Sequence, residues 1–122
     1  MNQTQTIERG DWAVFAEDFS KQHAGENASL EMVGSDIGAQ YAAENLPFVG
    51  MTLEAKGSAA GSLTLMLGTE RPNHLERVIA GPHSLEVHLT PEGETILKIQ
   101  ATDEPTLLLH LAPLIALPAP QS

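Results

Sequence analysis

The hydrophobic period of this chain changes at Gly25, and the change limits the folds that the chain can adopt. Before Gly25, aromatic and apolar residues recur at the spacing of an amphipathic helix, which predicts a helix over Glu8 to His23. The residues on this stripe are Trp12, Phe15, Ala16, Phe19 and His23. Gly25 is a natural left-handed stop. After it, apolar and polar residues alternate, as they do in half-buried β-strands.

The alternating part predicts seven or eight short strands, separated by turn residues such as Gly-Ser-Asp and Asn-Leu-Pro. The predicted strands are residues 28–33, 39–44, 49–56, 63–68, 74–80, 85–89, 95–101 and 106–111. Short connections favour antiparallel neighbours, so the last three should form a meander. One helix followed by strands predicts an α+β fold. Because one small helix cannot cover a flat sheet of this size, we expect a strongly curled antiparallel sheet or partly open barrel closed by the helix.

The length of 122 residues predicts a single domain. We expect residues 1–6 to be frayed, residues 7–112 to form the folded body, and residues 113–122 to form a proline-rich, extended tail whose first part packs on the body. The expected core contains Trp12, Phe15, Phe19, Leu30, Leu53, Leu65 and Leu97.

The charge balance limits the possible partners. Six Lys and Arg against 16 Asp and Glu give a formal net charge of −10, which disfavours nucleic acid and anionic membrane surfaces. The absence of cysteine excludes disulfides, thiolate nucleophiles and cysteine zinc sites. The start, MNQTQTIERGDW, lacks the apolar segment of a secretory signal. We therefore expect a cytoplasmic protein that requires no cofactor.

A set of mixed-charge residues at the rim where three predicted loops gather forms the candidate contact site. The set is Asp36, Gln40, Lys56, Arg71 and His74. Loops on a rigid β-scaffold are where sites are usually built. The structural alternatives are an Asx-turn at Asp36, a strand-end cap at Gln40 and a flexible hairpin loop, KGSAAGS, after Lys56.

The five histidines form no recognisable metal or catalytic motif. His23 suits a helix C-terminus as a charge, and His88 and His110 are placed where neighbouring strands could pair them with carboxylates. A metal site built from two or three histidines with Asp36 or Glu76 is disfavoured, because no ligand pair has the required spacing. No serine lies in a Gly-x-Ser-x-Gly elbow.

Several segments resemble a family of small bacterial proteins grouped as domain of unknown function 5335. The resemblance rests on RGDWAVFAEDFSKQHAG, on GSDIGAQYAAENLPFVGMTLEAKG and on the stretch from Leu67 to His74. It covers about Ile7 to Leu111, and the tail after Ala112 departs from the pattern. The resemblance implies a free-standing bacterial domain and supplies no activity, cofactor or catalytic residue.

Two hypotheses about function remain open. The first is a non-enzymatic binding or interaction module, whose partner is a protein with a basic face or a small apolar molecule. The alternative is a small hydrolase- or isomerase-like enzyme that uses His74 with Asp36 in a pocket. A closed, dry core would favour the module, whereas a deep pocket where His74 and a carboxylate converge would favour the enzyme.

Overall fold

The computed structural model describes residues 3–36, 38–54, 61–70, 73–102 and 104–113. These form one helix and an eight-stranded antiparallel sheet, which confirms the α+β class. In chain order the elements are β1 (Gln3–Ile7), a 3₁₀ turn (Arg9–Asp11), α1 (Trp12–His23), β2 (Asn27–Gly34), β3 (Gly38–Leu53), β4 (Leu63–Leu67), β5 (Leu75–Ile79), β6 (Pro82–Leu89), β7 (Thr95–Ala101) and β8 (Thr106–Ala112).

The sheet has the strand order β1-β6-β7-β8-β2-β3-β4-β5, so β1 and β5 are its edges and it is not closed. The predicted meander is confirmed, because β6 pairs with β7 and β7 with β8. The first strand of the chain was not predicted. Gln3–Ile7 pairs with β6 instead of fraying, because main-chain hydrogen bonds to an edge do not require apolar side chains.

The buried side chains belong to one face of the strands and one face of α1. Leu63, Leu65 and Leu67 of β4 are buried together with Leu97 and Ile99 of β7. Trp12 and Phe19 join this core as predicted, whereas Phe15 and Leu53 are partly buried against it.

Two contacts of the Trp12 side chain fix the start of α1. The indole Nε1–H of Trp12 donates to the carbonyl oxygen of Ile7 at 3.0 Å, and the Arg9 guanidinium lies 4.7 Å from the centre of the indole ring. The α-helix begins at Trp12 and not at Glu8, because Arg9–Asp11 forms a 3₁₀ turn.

Helix α1 takes the place of a neighbouring strand beside the second half of β3. The Met51 N–H donates to the Ser20 hydroxyl at 2.8 Å, and this hydroxyl lies within donating distance of the carbonyls of Ala16 and Met51. After the helix, Gly25 N–H donates to the carbonyl of Phe48, with Gly25 in the predicted left-handed conformation at φ 83°. These bonds satisfy main-chain groups that β4, on the other side of β3, does not reach.

The predicted Asn-Leu-Pro turn is wrong, because β3 continues through it. The first half of β3 pairs with β2 and the second half with β4. The register shifts opposite Leu30 accommodate a bulge, and Asn45 within it has φ 56°. Asparagine tolerates this left-handed conformation, so the strand bends without ending.

Gly68 holds the loop after β4 against the backbone that follows. Its φ is +84°, and a Cβ atom there would lie 2.2 Å from the carbonyl oxygen of Asn73 and 2.7 Å from the Cα of His74. Its N–H donates to the carbonyl of Pro47. Only glycine fits this position, and its lack of a side chain lets the backbone of Asn73 and His74 lie directly against it.

Candidate functional site

The predicted site residues lie in different parts of the described structure. Asp36 is in the β2–β3 turn and lines a cavity of about 410 Å³ with Glu104 and Thr106. Gln40 lies in β3 opposite Met32. His74 lines another cavity, of about 260 Å³, with Ala43, Glu44 and Leu46.

Lys56 and Arg71 lie outside the described residues. The predicted packing of the proline-rich tail also falls there, since the description ends at Pro113. Asp36 and His74 line different cavities. The role of the predicted set stays a prediction.

A group of polar side chains surrounds His110 on the outer face of the sheet. The His110 Nε2–H donates to Oε1 of Glu31 at 3.0 Å, and Nδ1 lies 3.6 Å from Oε2 of Glu94. The ring of Tyr41 lies 6.2 Å from the imidazole, centre to centre. His110 therefore pairs with carboxylates of neighbouring segments, as predicted, whereas the carboxylate near His88, that of Glu86 at 3.4 Å, belongs to the same strand as His88.

The strand register brings these residues together. In β2, Ser29 pairs with His110 of β8, and Glu31 pairs with Tyr41 of β3. Glu94 precedes β7, whose Ile96 is the other neighbour of His110. Side chains on one face of adjacent strands contact each other when their residues are paired directly or diagonally.

The bulge in β3 forms one wall of a depression beside His110. The Asn45 N–H donates to Oγ of Ser29 at 2.9 Å, and Nδ2 of Asn27 donates to Oδ1 of Asn45 at 2.9 Å. The depression measures about 270 Å³ and is lined by Asn27, Ser29, Tyr41, Glu44, Asn45, Glu94, His110 and Ala112. We call this depression, together with Glu31, the His110 surface.

The His110 surface combines an exposed aromatic ring with carboxylates. Tyr41 is 51% exposed, whereas the other aromatic residues of the chain, Trp12, Phe15, Phe19 and Phe48, are buried in or packed against the core. A cation over an aromatic face is attracted by the ring, and carboxylates give guanidinium groups charge-assisted hydrogen bonds. The arrangement is therefore suited to a cationic side chain.

Sequence reasoning did not assemble this group because its members are far apart in the chain. His110 and Glu31 are 79 residues apart, and only the β2–β8 register makes them neighbours. One signal was available: Tyr41 is the only tyrosine, and it lies in a segment rich in alanine and polar residues.

No group of three or more potential metal ligands occurs among residues 3–36, 38–54, 61–70, 73–102 and 104–113. Within the same ranges, no helix has the length and apolar character needed to cross a membrane.

These observations define the class of protein: an α+β domain whose surface combines carboxylates with an exposed aromatic ring. The model of a family of unknown function, DUF5335, matches residues 3–120, so the chain belongs to this family. The match includes most of the tail, which the resemblance drawn from the sequence had left out. Neither the curated proteins nor the solved structures give a match.

Proposed function

We propose that this protein is a non-enzymatic interaction module of the bacterial cytoplasm, and that its His110 surface binds a partner protein through basic side chains. One observation carries the proposal. Tyr41, 51% exposed, lies beside Glu31, Glu94 and His110, while the other aromatic residues of the chain serve the core. Exposed aromatic residues are enriched where proteins bind one another.

The charge of the chain supports a basic partner. The net charge of −10 attracts cationic surfaces over a distance of about 10 Å at moderate salt. Glu44 and Glu94 line the depression, and Glu31 holds His110. An arginine side chain could stack on Tyr41 and share its N–H donors with these carboxylates.

We also propose that the sheet is strongly curled and forms a rigid single-domain scaffold for this surface. Glu104, in the β7–β8 loop, supports the curl. Its carboxylate lies 3.3 Å from Arg77 Nη2 and accepts from the Ala80 N–H at 3.3 Å, although Arg77 is on the edge strand β5. In strand order, β5 is four positions from β8, so this contact supports a sheet that curls back on itself.

The test is an NMR titration with an arginine probe, acetyl-Gly-Arg-Gly-Arg-Gly-amide. We expect saturable shifts at Glu31, Tyr41 and His110. We expect no such shifts with the citrulline analogue, which has the same shape but no charge. Added salt should weaken the binding.

Variants separate specific binding from general attraction to an acidic protein. Tyr41→Ala should lower the affinity for the probe about two- to fivefold, as expected for a cation–π contact at an exposed site. Glu94→Gln should also lower it. Glu17→Gln, which removes one exposed carboxylate from the outer side of α1, should not. If all three variants bind alike, or if the citrulline peptide binds as well, the proposal is wrong.

A further inference from the structure

A groove lies between α1 and the strands β1, β6 and β7, away from the His110 surface. Its volume is about 510 Å³, which is within the usual range of small-molecule sites. Phe15 and Phe19 of α1 and Val87 and Leu89 of β6 supply its apolar walls. Side chains of β1, together with Gln22 and His23, complete its rim.

Thr95 supplies an unused polar group in this groove. Its side chain lines the groove and is 9% exposed. No described residue hydrogen-bonds to the Thr95 hydroxyl, and no buried side-chain oxygen or nitrogen of the described residues lacks a partner, so this hydroxyl is accessible from the groove. A ligand with a hydroxyl or carbonyl group can therefore form a hydrogen bond with it.

The charge of the groove indicates a neutral ligand. Among the residues that the structure describes, no Asp, Glu, Lys or Arg lines it, in a chain whose net charge is −10. The one titratable residue in this described lining, His23, has its Nδ1 within 2.8 Å of the Glu26 carboxylate. An anion would be repelled by the protein as a whole, and a cation would find no counter-charge in the groove.

We infer that this groove binds a neutral amphipathic small molecule, with its apolar body against Phe15, Phe19 and Val87 and its polar group on Thr95. The site is independent of the proposed partner surface. Thr95 of β7 pairs with Leu111 of β8, which is buried in the core. His110 precedes Leu111 in β8, so its side chain points to the opposite face of the sheet. Both binding activities can therefore be tested separately.

The experiment is an NMR titration of the full chain with 1-octanol. We expect saturable shifts at Phe15, Val87 and Leu89, with the signals of Tyr41 and His110 unchanged. Octanoate and octylammonium, which have the same chain but a charge, should bind at least fivefold more weakly than 1-octanol.

Three variants and a control locate the site. Thr95→Val keeps the shape but removes the hydroxyl, and should lower the affinity for 1-octanol about three- to tenfold. Val87→Trp fills the groove and should lower it at least tenfold. Leu89→Asp, at a position that is 42% exposed and so tolerates a polar residue, should weaken binding even if Val87→Trp fails to fold. Val14→Trp, on the outer side of α1, is the control and should bind as the parent does.

The inference is wrong if 1-octanol gives no saturable shifts up to its solubility limit. It is also wrong if Thr95→Val and Leu89→Asp bind as the parent does, or if a charged analogue binds more tightly than 1-octanol.

Discussion

Replacing Ser20 by alanine tests the link between α1 and β3. The Ser20 hydroxyl accepts from the Met51 N–H at 2.8 Å and can donate to Ala16 or Met51 carbonyls at 2.8 and 2.9 Å. Met51 is 1% exposed, so Ser20→Ala leaves its N–H buried without this partner. An unsatisfied buried donor costs about 1–3 kcal/mol, and the better helix propensity of alanine returns up to about 0.5 kcal/mol.

The expected net loss is about 1–2.5 kcal/mol of the free energy of unfolding, measured by urea denaturation. For a domain of this size it corresponds to a fall in Tm of about 3–10 °C. Amide hydrogen exchange at Met51 should become faster in the variant.

Asp18→Ala is the matched control for Ser20→Ala. Asp18 is an exposed residue of the same helix, so its replacement should change stability by less than about 0.5 kcal/mol. If Ser20→Ala were as stable as the parent and Met51 kept its protection, α1 would not replace a strand beside β3.

Three further predictions concern packing and charge. Gly68→Ala should lower the free energy of unfolding by more than about 3 kcal/mol, because a Cβ atom would overlap the Asn73 backbone. Gly81→Ala, with φ +66° and nothing within 4 Å of the added Cβ atom, should lower it by only about 1–2 kcal/mol. Equal losses in urea denaturation would refute the steric argument. Trp12→Ala should cost about 3–5 kcal/mol because the indole is buried and donates to Ile7; a thermal melt like that of the parent would contradict this. With a net charge of −10, the protein should give no salt-sensitive gel shift with DNA or RNA at micromolar concentration, and such a shift would overturn the exclusion of nucleic acid.

The period of the sequence predicted the elements whose faces are buried. Leu63, Leu65 and Leu67 alternate with more exposed residues, so their strand could be read directly. The same reasoning missed β1, because Gln3–Thr6 is exposed and an edge strand can pair through its backbone alone.

The local sequence pattern does not predict the bend in β3. Asn45 and Pro47 are turn residues by composition, and the sequence therefore predicted two strands with a turn between them. In the fold, Ser29 and Asn27 hold Asn45 within a continuous strand. Hydrogen bonds from β2 residues determine whether this segment forms a turn or a bulge. These β2 residues can be identified only from the strand register.

Local sequence patterns did not identify the polar surface sites either. The loop residues Asp36 and His74 were predicted from local composition, and they line separate cavities. The His110 surface depends on pairing between β2, β3 and β8, which no local spacing encodes.

Site-specific photo-crosslinking in cells of the native host is the most direct test of the proposed partner surface. A benzophenone amino acid replaces Tyr41 in one variant and, in two controls, the exposed Val14 of α1 or Val78 of β5, which are 65% and 55% exposed. We predict a discrete protein adduct from position 41, made through a basic segment of the partner and lost when Glu31 and Glu94 are both changed to glutamine. An adduct that forms from positions 14 or 78 but not from 41, or one that persists without the two carboxylates, would contradict the account.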